Sequence, residues 1–321
     1  MMNLKLIAAR VVLVAFGVAL PFIVLEGGLR IEHRIRKGTP LLLNPAAKWD
    51  DHLGWEGKEH IFNPLSERPL LVIGDSFTEG LDVPSGQMWF AQLAAMYPER
   101  GLIAYGGLGY GTLQQLRTLQ RYRDRGVNPS TVVLQLCTND ILNNLFDLEK
   151  HSLLQRPPGP RPYWENGSVV LKFPRENDWL LLPLVSWSRF AYRMSTHWDA
   201  LVAEQARAGR FNSIEHDIQK FGFAFEPFRR ASQVTQILLD RFKRAAGDAS
   251  LILMLVDDVE PYTRALRDIA DKLQLQIVIP ARVTPLGVSD RLPDGTHLNA
   301  SGNRLVGDTF TRIAKSRGLI P

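Results

Sequence analysis

Ser76 lies in the segment GDSFTEG, directly after the short apolar run Leu70–Ile73. A serine hydroxyl is a weak nucleophile until a base takes its proton, and it must be exposed, as at a strand-to-helix turn. A serine that merely caps a helix fits the same position. A base stands near the other end of the chain, in PDGTHLNASG, where Asp294 and His297 are separated by two residues. That spacing lets one turn carry an imidazole and its orienting carboxylate. Asp294 would accept the Nδ1–H of His297 and leave Nε2 facing the serine. An isolated D-x-x-H is more often a solvated turn. Here a helical pattern follows directly, and the chain order is Ser, Asp, His. Attack on an acyl carbon also needs donors aimed at the developing oxyanion. Gly109, without a Cβ, can expose its amide closely, and the Asn139 side chain offers an NH₂ group. The Ser76 backbone N–H would be the third donor. A turn glycine and a helix-capping asparagine are the bland readings of Gly109 and Asn139.

These residues need elements to hold them. Leu70–Ile73, Leu102–Tyr105 and Thr131–Leu136 read as short buried strands, and Leu251–Val256 and Gln276–Ile279 as two more. Helical patterns fall at Met88–Met96, over LQQLRTLQRYRDR after a capping Thr112, and at Arg229–Ala246, Tyr262–Leu273 and Ala300–Ser316. Short, continuously apolar strands alternating with helices predict an α/β fold, a parallel sheet with helices on both faces. Ligands of such sheets bind beyond the carboxyl ends of the strands. Ser76, Gly109, Asn139 and Asp257 all follow predicted strands. A long insertion, residues 145–228, interrupts the pattern. Its QRPPGPRP stretch cannot be helical, and YWENGSVVLKF predicts a hairpin turning at Asn166-Gly167. The remainder of the insertion has no assignable period.

With 45% hydrophobic and 22% charged residues over 321 positions, the chain can bury a core. Its formal charge of +5 comes without a nucleic-acid-binding motif, so no nucleic-acid partner is expected. The single cysteine, Cys137, excludes an intrachain disulfide and reads as a packed strand-end residue rather than a nucleophile. GGLGYG lacks the register of a dinucleotide loop. No H-E-x-x-H or histidine cluster suggests a metal, and no cofactor is expected. Asp257, Asp258 and Glu260 read as a solvated loop that could touch substrate. Trp164, Trp179, Trp187 and Trp198 in the insertion read as a private core before a sugar-stacking surface. At the N-terminus, Val11–Leu25 is uncharged, with Lys5 and Arg10 before it and Arg30, Arg34, Arg36 and Lys37 after it. It approaches membrane-spanning length, and no small-x-small cleavage site follows it. Residues 1–37 are therefore expected to be a membrane anchor, 38–68 a linker, and 69–321 the main domain with its insertion.

The blocks GDSFTEG, GLGYGT, TND and DGTHLN, in this order, resemble those of the SGNH/GDSL hydrolase family. The resemblance covers residues 69–145 and 229–317. It implies a flavodoxin-like three-layer sandwich. It also implies a serine hydrolase with Ser76, Asp294 and His297 as catalytic residues and Ser76, Gly109 and Asn139 as the oxyanion hole. The chain is further similar to a membrane-anchored bacterial subgroup associated with envelope polysaccharide. There the glycine block often begins with Asn; here that position is Ala104, which removes a supporting hydrogen bond but no catalytic group. The implied function is an esterase acting on acyl, chiefly acetyl, esters of polysaccharide, anchored in a bacterial inner membrane with its domain in the periplasm. The basic cluster after the apolar run argues for the opposite side. An acyltransferase using the same triad, a lipid-directed esterase and a non-catalytic scaffold are the alternatives.

Overall fold

The computed structural model describes residues 4–37, 41–42, 49–50, 52–63, 66–153, 159–175, 178–210 and 213–320. In chain order, helix α1 spans Leu4–Lys37. The strands β1 (Trp49–Asp50), β2 (Gly54–Trp55), β3 (Lys58–Phe62) and β4 (Leu70–Gly74) follow, then α2 (Ser76–Glu79), α3 (Trp89–Met96), β5 (Leu102–Gly106), α4 (Thr112–Asp124) and β6 (Thr131–Leu136). Next come α5 (Thr138–Asn143), α6 (Phe146–Glu149), the hairpin β7 (Arg161–Glu165) and β8 (Ser168–Lys172), and helices α7 (Asp178–Trp187), α8 (Arg189–Arg207) and α9 (Ile214–Phe221). The chain closes with α10 (Glu226–Ala246), β9 (Ser250–Leu255), α11 (Tyr262–Leu273), β10 (Gln276–Val278) and α12 (Ala300–Ser316).

The main sheet has the order β10-β9-β6-β4-β5-β3, parallel throughout except for β3. Its parallel part, β5-β4-β6-β9-β10, has the doubly wound order of flavodoxin-like sheets, with the switch point at β4 and β6. Alternate residues of each strand face opposite sides. Leu71, Ile73 and Ile103 join Leu116 of α4, Leu239 and Phe242 of α10 and Leu266 of α11 in one core. Leu70, Val72 and Ala104 join Trp89 and Leu93 of α3 and Phe310 of α12 in the other. The three-layer sandwich expected from the strand pattern is thus present, with every residue of β4 buried.

Within the stretch 38–68, read from the sequence as a linker, Lys58–Phe62 forms the antiparallel edge of the sheet by pairing with β5. Only His60 in its middle is buried. A charged, mostly exposed strand is a common way to finish a sheet edge, and it leaves no apolar run to read. The hairpin turns as predicted, with Asn166 and Gly167 at φ 48° and 83°. Both residues of a type I′ turn need positive φ. Residues 155–158 of the proline-rich stretch lie outside the described residues.

Helix α1 is long and apolar enough over Val12–Ile35 to cross a membrane, and its most apolar window has no buried residue, unlike a core helix. Glu26 on α1 receives the N-terminus of α8. Its carboxylate accepts from the Ser188 hydroxyl at 3.0 Å, from the Phe190 N–H at 2.9 Å and from the Arg189 N–H at 3.1 Å. A carboxylate at a helix N-terminus meets unpaired N–H groups and the positive end of the dipole. Arg30 pairs with Glu26 at 2.6 Å and donates to the Trp187 carbonyl at 2.6 Å.

Candidate functional site

The strand-to-helix step after β4 sets Ser76. Asp75 caps α2, its side chain accepting from the Phe77 N–H at 2.9 Å, so Ser76 occupies the first helical position and its own side chain is not needed as the cap. Its Oγ lies 2.9 Å from His297 Nε2. His297 Nδ1 lies 2.6 Å from Asp294 Oδ2. The other Asp294 oxygen accepts from the N–H groups of Thr296 at 2.8 Å and His297 at 2.9 Å. One carboxylate thereby closes the turn and orients the ring. Burial pushes the Asp294 carboxyl up, but the hydrogen bonds from the His297 ring and from the Thr296 and His297 amides outweigh it and hold the group at about 2. Two blocks of the chain, 221 residues apart, meet here in the order read from the sequence.

The turn is braced from several sides. The Leu292 N–H donates to the His297 carbonyl at 2.7 Å, and Asn299 caps α12 through the amides of Ser301 and Gly302. Asp257 is tied to Arg291 at 2.7 Å, and the same guanidinium donates to the Thr296 carbonyl. Asp257 therefore faces the histidine turn through Arg291. Asp258 is held bidentately by Arg282 at 2.9 and 3.0 Å. Glu260 lines a separate groove with Phe221 and Arg264.

Gly109 has φ 65°, a conformation that favours glycine. Asn139 enters at the start of α5. Its Nδ2 donates to Asn143 Oδ1 at 2.8 Å and reaches the Tyr110 carbonyl at 3.5 Å, so the glycine loop and the asparagine adjoin. Arg161, from the insertion, is missing from the sequence reading. It is 1% exposed, donates to the Gly109 carbonyl and to Gln114 Oε1 at 2.8 Å, and pairs with buried Glu149 at 2.7 Å. Burial raises Glu149 to about 7 against the pull of Arg161. A guanidinium inside a proline-flanked strand carries no local signal of this role, because its partners arrive through the fold.

Cys137 is buried behind the site. Its Sγ donates to Asp75 Oδ2 at 2.8 Å, and its N–H donates to Asp140 Oδ2 at 2.7 Å. Burial, then the neighbouring Asp75 and Asp140, push the thiol well above its usual range, which removes thiolate character. The same burial raises both carboxyls, Asp140 strongly. Asp75, Cys137 and Asp140 could in principle hold an ion among them. The Cys137 thiol is instead committed to Asp75, and burial favours protonated groups over the anionic ligands a metal needs. Ala104 sits in the core between β4 and β3, facing α3 and α12.

The cavity beside Ser76 and His297 has a volume of about 10 Å³ and is walled by Phe77, Leu81, Met88, Leu292 and Leu298. Among the described residues, Trp164, Trp187 and Trp198 of the insertion do not line it. Trp164 stacks under the Arg241 guanidinium at 4.0 Å and packs against the core. Trp187 and Trp198 are 54% and 65% exposed; the Trp179 side chain lies outside the described residues. Helix α8 does reach the site's rim, where Arg207 donates to Thr296 Oγ1 at 3.2 Å.

No curated protein matches the sequence. Among solved structures the chain is similar to TesA, at 12% identity and a TM-score of 0.45, covering 78% of this chain and 99% of that one. It is similar to the psychrotrophic esterase EstA from Pseudoalteromonas sp., at 12% identity and a TM-score of 0.44, covering 78% and 98%. It is also similar to the Clostridium thermocellum family 3 carbohydrate esterase, at 12% identity and a TM-score of 0.42, covering 79% and 99%. The sequence profile of the GDSL-like Lipase/Acylhydrolase family matches residues 72–305, which reach from β4 into α12. The chain belongs to that family, and it is an ester-hydrolysing serine hydrolase.

Proposed function

We propose that the protein is a membrane-anchored esterase that removes short acyl groups, acetyl above all, from cell-envelope or extracellular polysaccharide. The relay from Ser76 through His297 to Asp294, at 2.9 and 2.6 Å, carries this reading. His297 Nε2 takes the Ser76 proton as Oγ attacks the ester carbonyl, and Asp294 stabilises the imidazolium. The oxyanion is received by the amides of Ser76 and Gly109 and the Asn139 side chain. The sugar alcohol leaves with the proton from His297, and water then resolves the acyl-enzyme.

The small cavity at Ser76 supports a short acyl group. About 10 Å³ is roughly the space of a single water-sized group. It suits an acetyl methyl, and Met88, Leu292 and Leu298 line it for anything longer. One surplus methylene typically costs ~10-fold or more in specificity. On aryl or sugar esters, kcat/KM should therefore fall by about tenfold or more from acetyl to butyryl. Octanoyl esters turned over as well as acetyl esters would sink the short-acyl reading.

The membrane side is proposed as periplasmic, with α1 in a bacterial inner membrane. Support comes from the similarity to envelope-associated members of the family and from the location of surface glycan esters. The basic residues Arg30 and Arg34 favour the opposite orientation. A reporter fused after Pro321 separates the two: alkaline phosphatase should be active there and a cytoplasm-restricted fluorophore dark. The reverse pattern places the chemistry in the cytoplasm.

A further inference from the structure

We infer that the helical hairpin α7–α8 of the insertion is embedded in the lipid leaflet beside α1, so that the catalytic domain is held against the bilayer by two contacts rather than one. This rests on the reading of α1 as a membrane anchor and goes beyond it.

The first observation is where the hairpin docks. The uncharged stretch of α1, Val11–Leu25, is closed by Arg10 on one side and Glu26 on the other. The next charged residues, Glu26 and Arg30, are those that hold the hairpin, Glu26 through the start of α8 and Arg30 through the Trp187 carbonyl. A second pair, Arg193 with Glu32 at 3.1 Å, continues the contact nearly two turns beyond Glu26 along α1. The junction between α7 and α8 therefore lies at the level where α1 leaves the lipid.

The second observation is what the hairpin exposes there. Leu184, Trp187, Met194 and Trp198 are all more than half exposed, although they are large and apolar. Leu184, Met194 and Trp198 line a groove of about 990 Å³ with Phe22 and Ile23 of α1, and Trp187 lies outside it. Phe22 and Ile23 belong to the apolar stretch of α1, so that stretch adjoins the apolar residues of the hairpin, with Glu26, Arg30 and Arg175 beside them. The Phe22 and Phe190 rings meet edge to face at 5.4 Å across this boundary. Tryptophans are enriched at the boundary of lipid and water. An amphipathic helix with such a face lies in the plane of the interface. The opposite face of α8 serves the domain: Ala203 and Ala206 are buried, and Arg207 reaches the turn that carries His297. Large apolar side chains exposed together mark an interaction surface. Lipid acyl chains, already required around α1, cover it without any further partner.

Spin labelling of the full chain in vesicles of phosphatidylethanolamine and phosphatidylglycerol tests this. Labels are placed singly through Ile23→Cys, Trp187→Cys, Trp198→Cys and, as an aqueous reference, Ile237→Cys on α10, which is 45% exposed. The native Cys137 is buried and does not compete for label. Turnover of a soluble acetyl ester by each variant verifies folding. Labels at 23, 187 and 198 should collide with oxygen more often than with an aqueous nickel chelate, and the label at 237 should show the inverse ratio. If 23 behaves as lipid-exposed while 187 and 198 follow 237, the hairpin stands in water and the inference is overturned with the anchor intact. If 23 also follows 237, the anchor reading itself fails and the inference with it.

Discussion

Ser76→Ala should abolish ester turnover, with kcat lowered by ~10³-fold or more, while the fold survives. In the proposed mechanism no other group can form the acyl-enzyme. Cys137 is buried, protonated and engaged with Asp75, and a water attacking in place of Oγ would lack its fixed position. The substitution should cost little stability. Asp75 provides the cap of α2 through the Phe77 amide, so alanine at the next position keeps that bond and is a good helix former. The mutant should therefore keep a melting temperature close to wild type and lose labelling by a fluorophosphonate probe. Because a nucleophile and its base act as a unit, adding His297→Ala to Ser76→Ala should cost almost nothing more. Turnover within tenfold of wild type, with probe labelling retained, would remove Ser76 from the mechanism.

What could be read in the sequence, and what could not, divides by the range of the interactions involved. TVVLQL announces β6 because a strand buried on both faces needs apolar residues at every position. Ser76 and Asn139 were legible because they directly follow such strands, and the Asp294–His297 spacing because both groups belong to one turn. Asn166-Gly167 was legible because its backbone conformation is itself local. Strand β3 was not, since Lys-Glu-His-Ile-Phe buries only its histidine and owes its extended shape to β5. Helices α7 and α8 have no clear period because part of their apolar surface points outward rather than into a core. The N-terminus of α8 is capped by Glu26, 162 residues earlier at the Ser188 contact. Arg161 is the furthest from any sequence signal. A buried guanidinium needs its charge countered, and its partners Glu149, Gln114 and Gly109 come from three separate stretches of the chain.

Asp294→Asn should lower kcat by about 10⁴-fold while leaving KM within a few-fold, the size of effect seen when a triad carboxylate becomes an amide. The geometry explains why so small a change costs so much. Asparagine keeps an oxygen for the Thr296 and His297 amides, so the turn is preserved. Its NH₂ group then replaces the oxygen that lies 2.6 Å from His297 Nδ1. A donor opposite Nδ1 forces the ring to present its lone pair there and to carry its proton on Nε2. The atom 2.9 Å from Ser76 Oγ then holds a hydrogen and cannot take another. The pH dependence provides an independent check. The Asp294 carboxyl is held at about 2, below its ordinary value, so its charge and any stability it brings are in place above the unfolded range and are lost only as pH falls through about 2. Between roughly pH 4 and 8 its state does not change. Loss of wild-type activity on acidification within that range therefore comes from a group other than Asp294. An Asp294→Asn enzyme within tenfold of wild type would show that His297 is oriented by some other group.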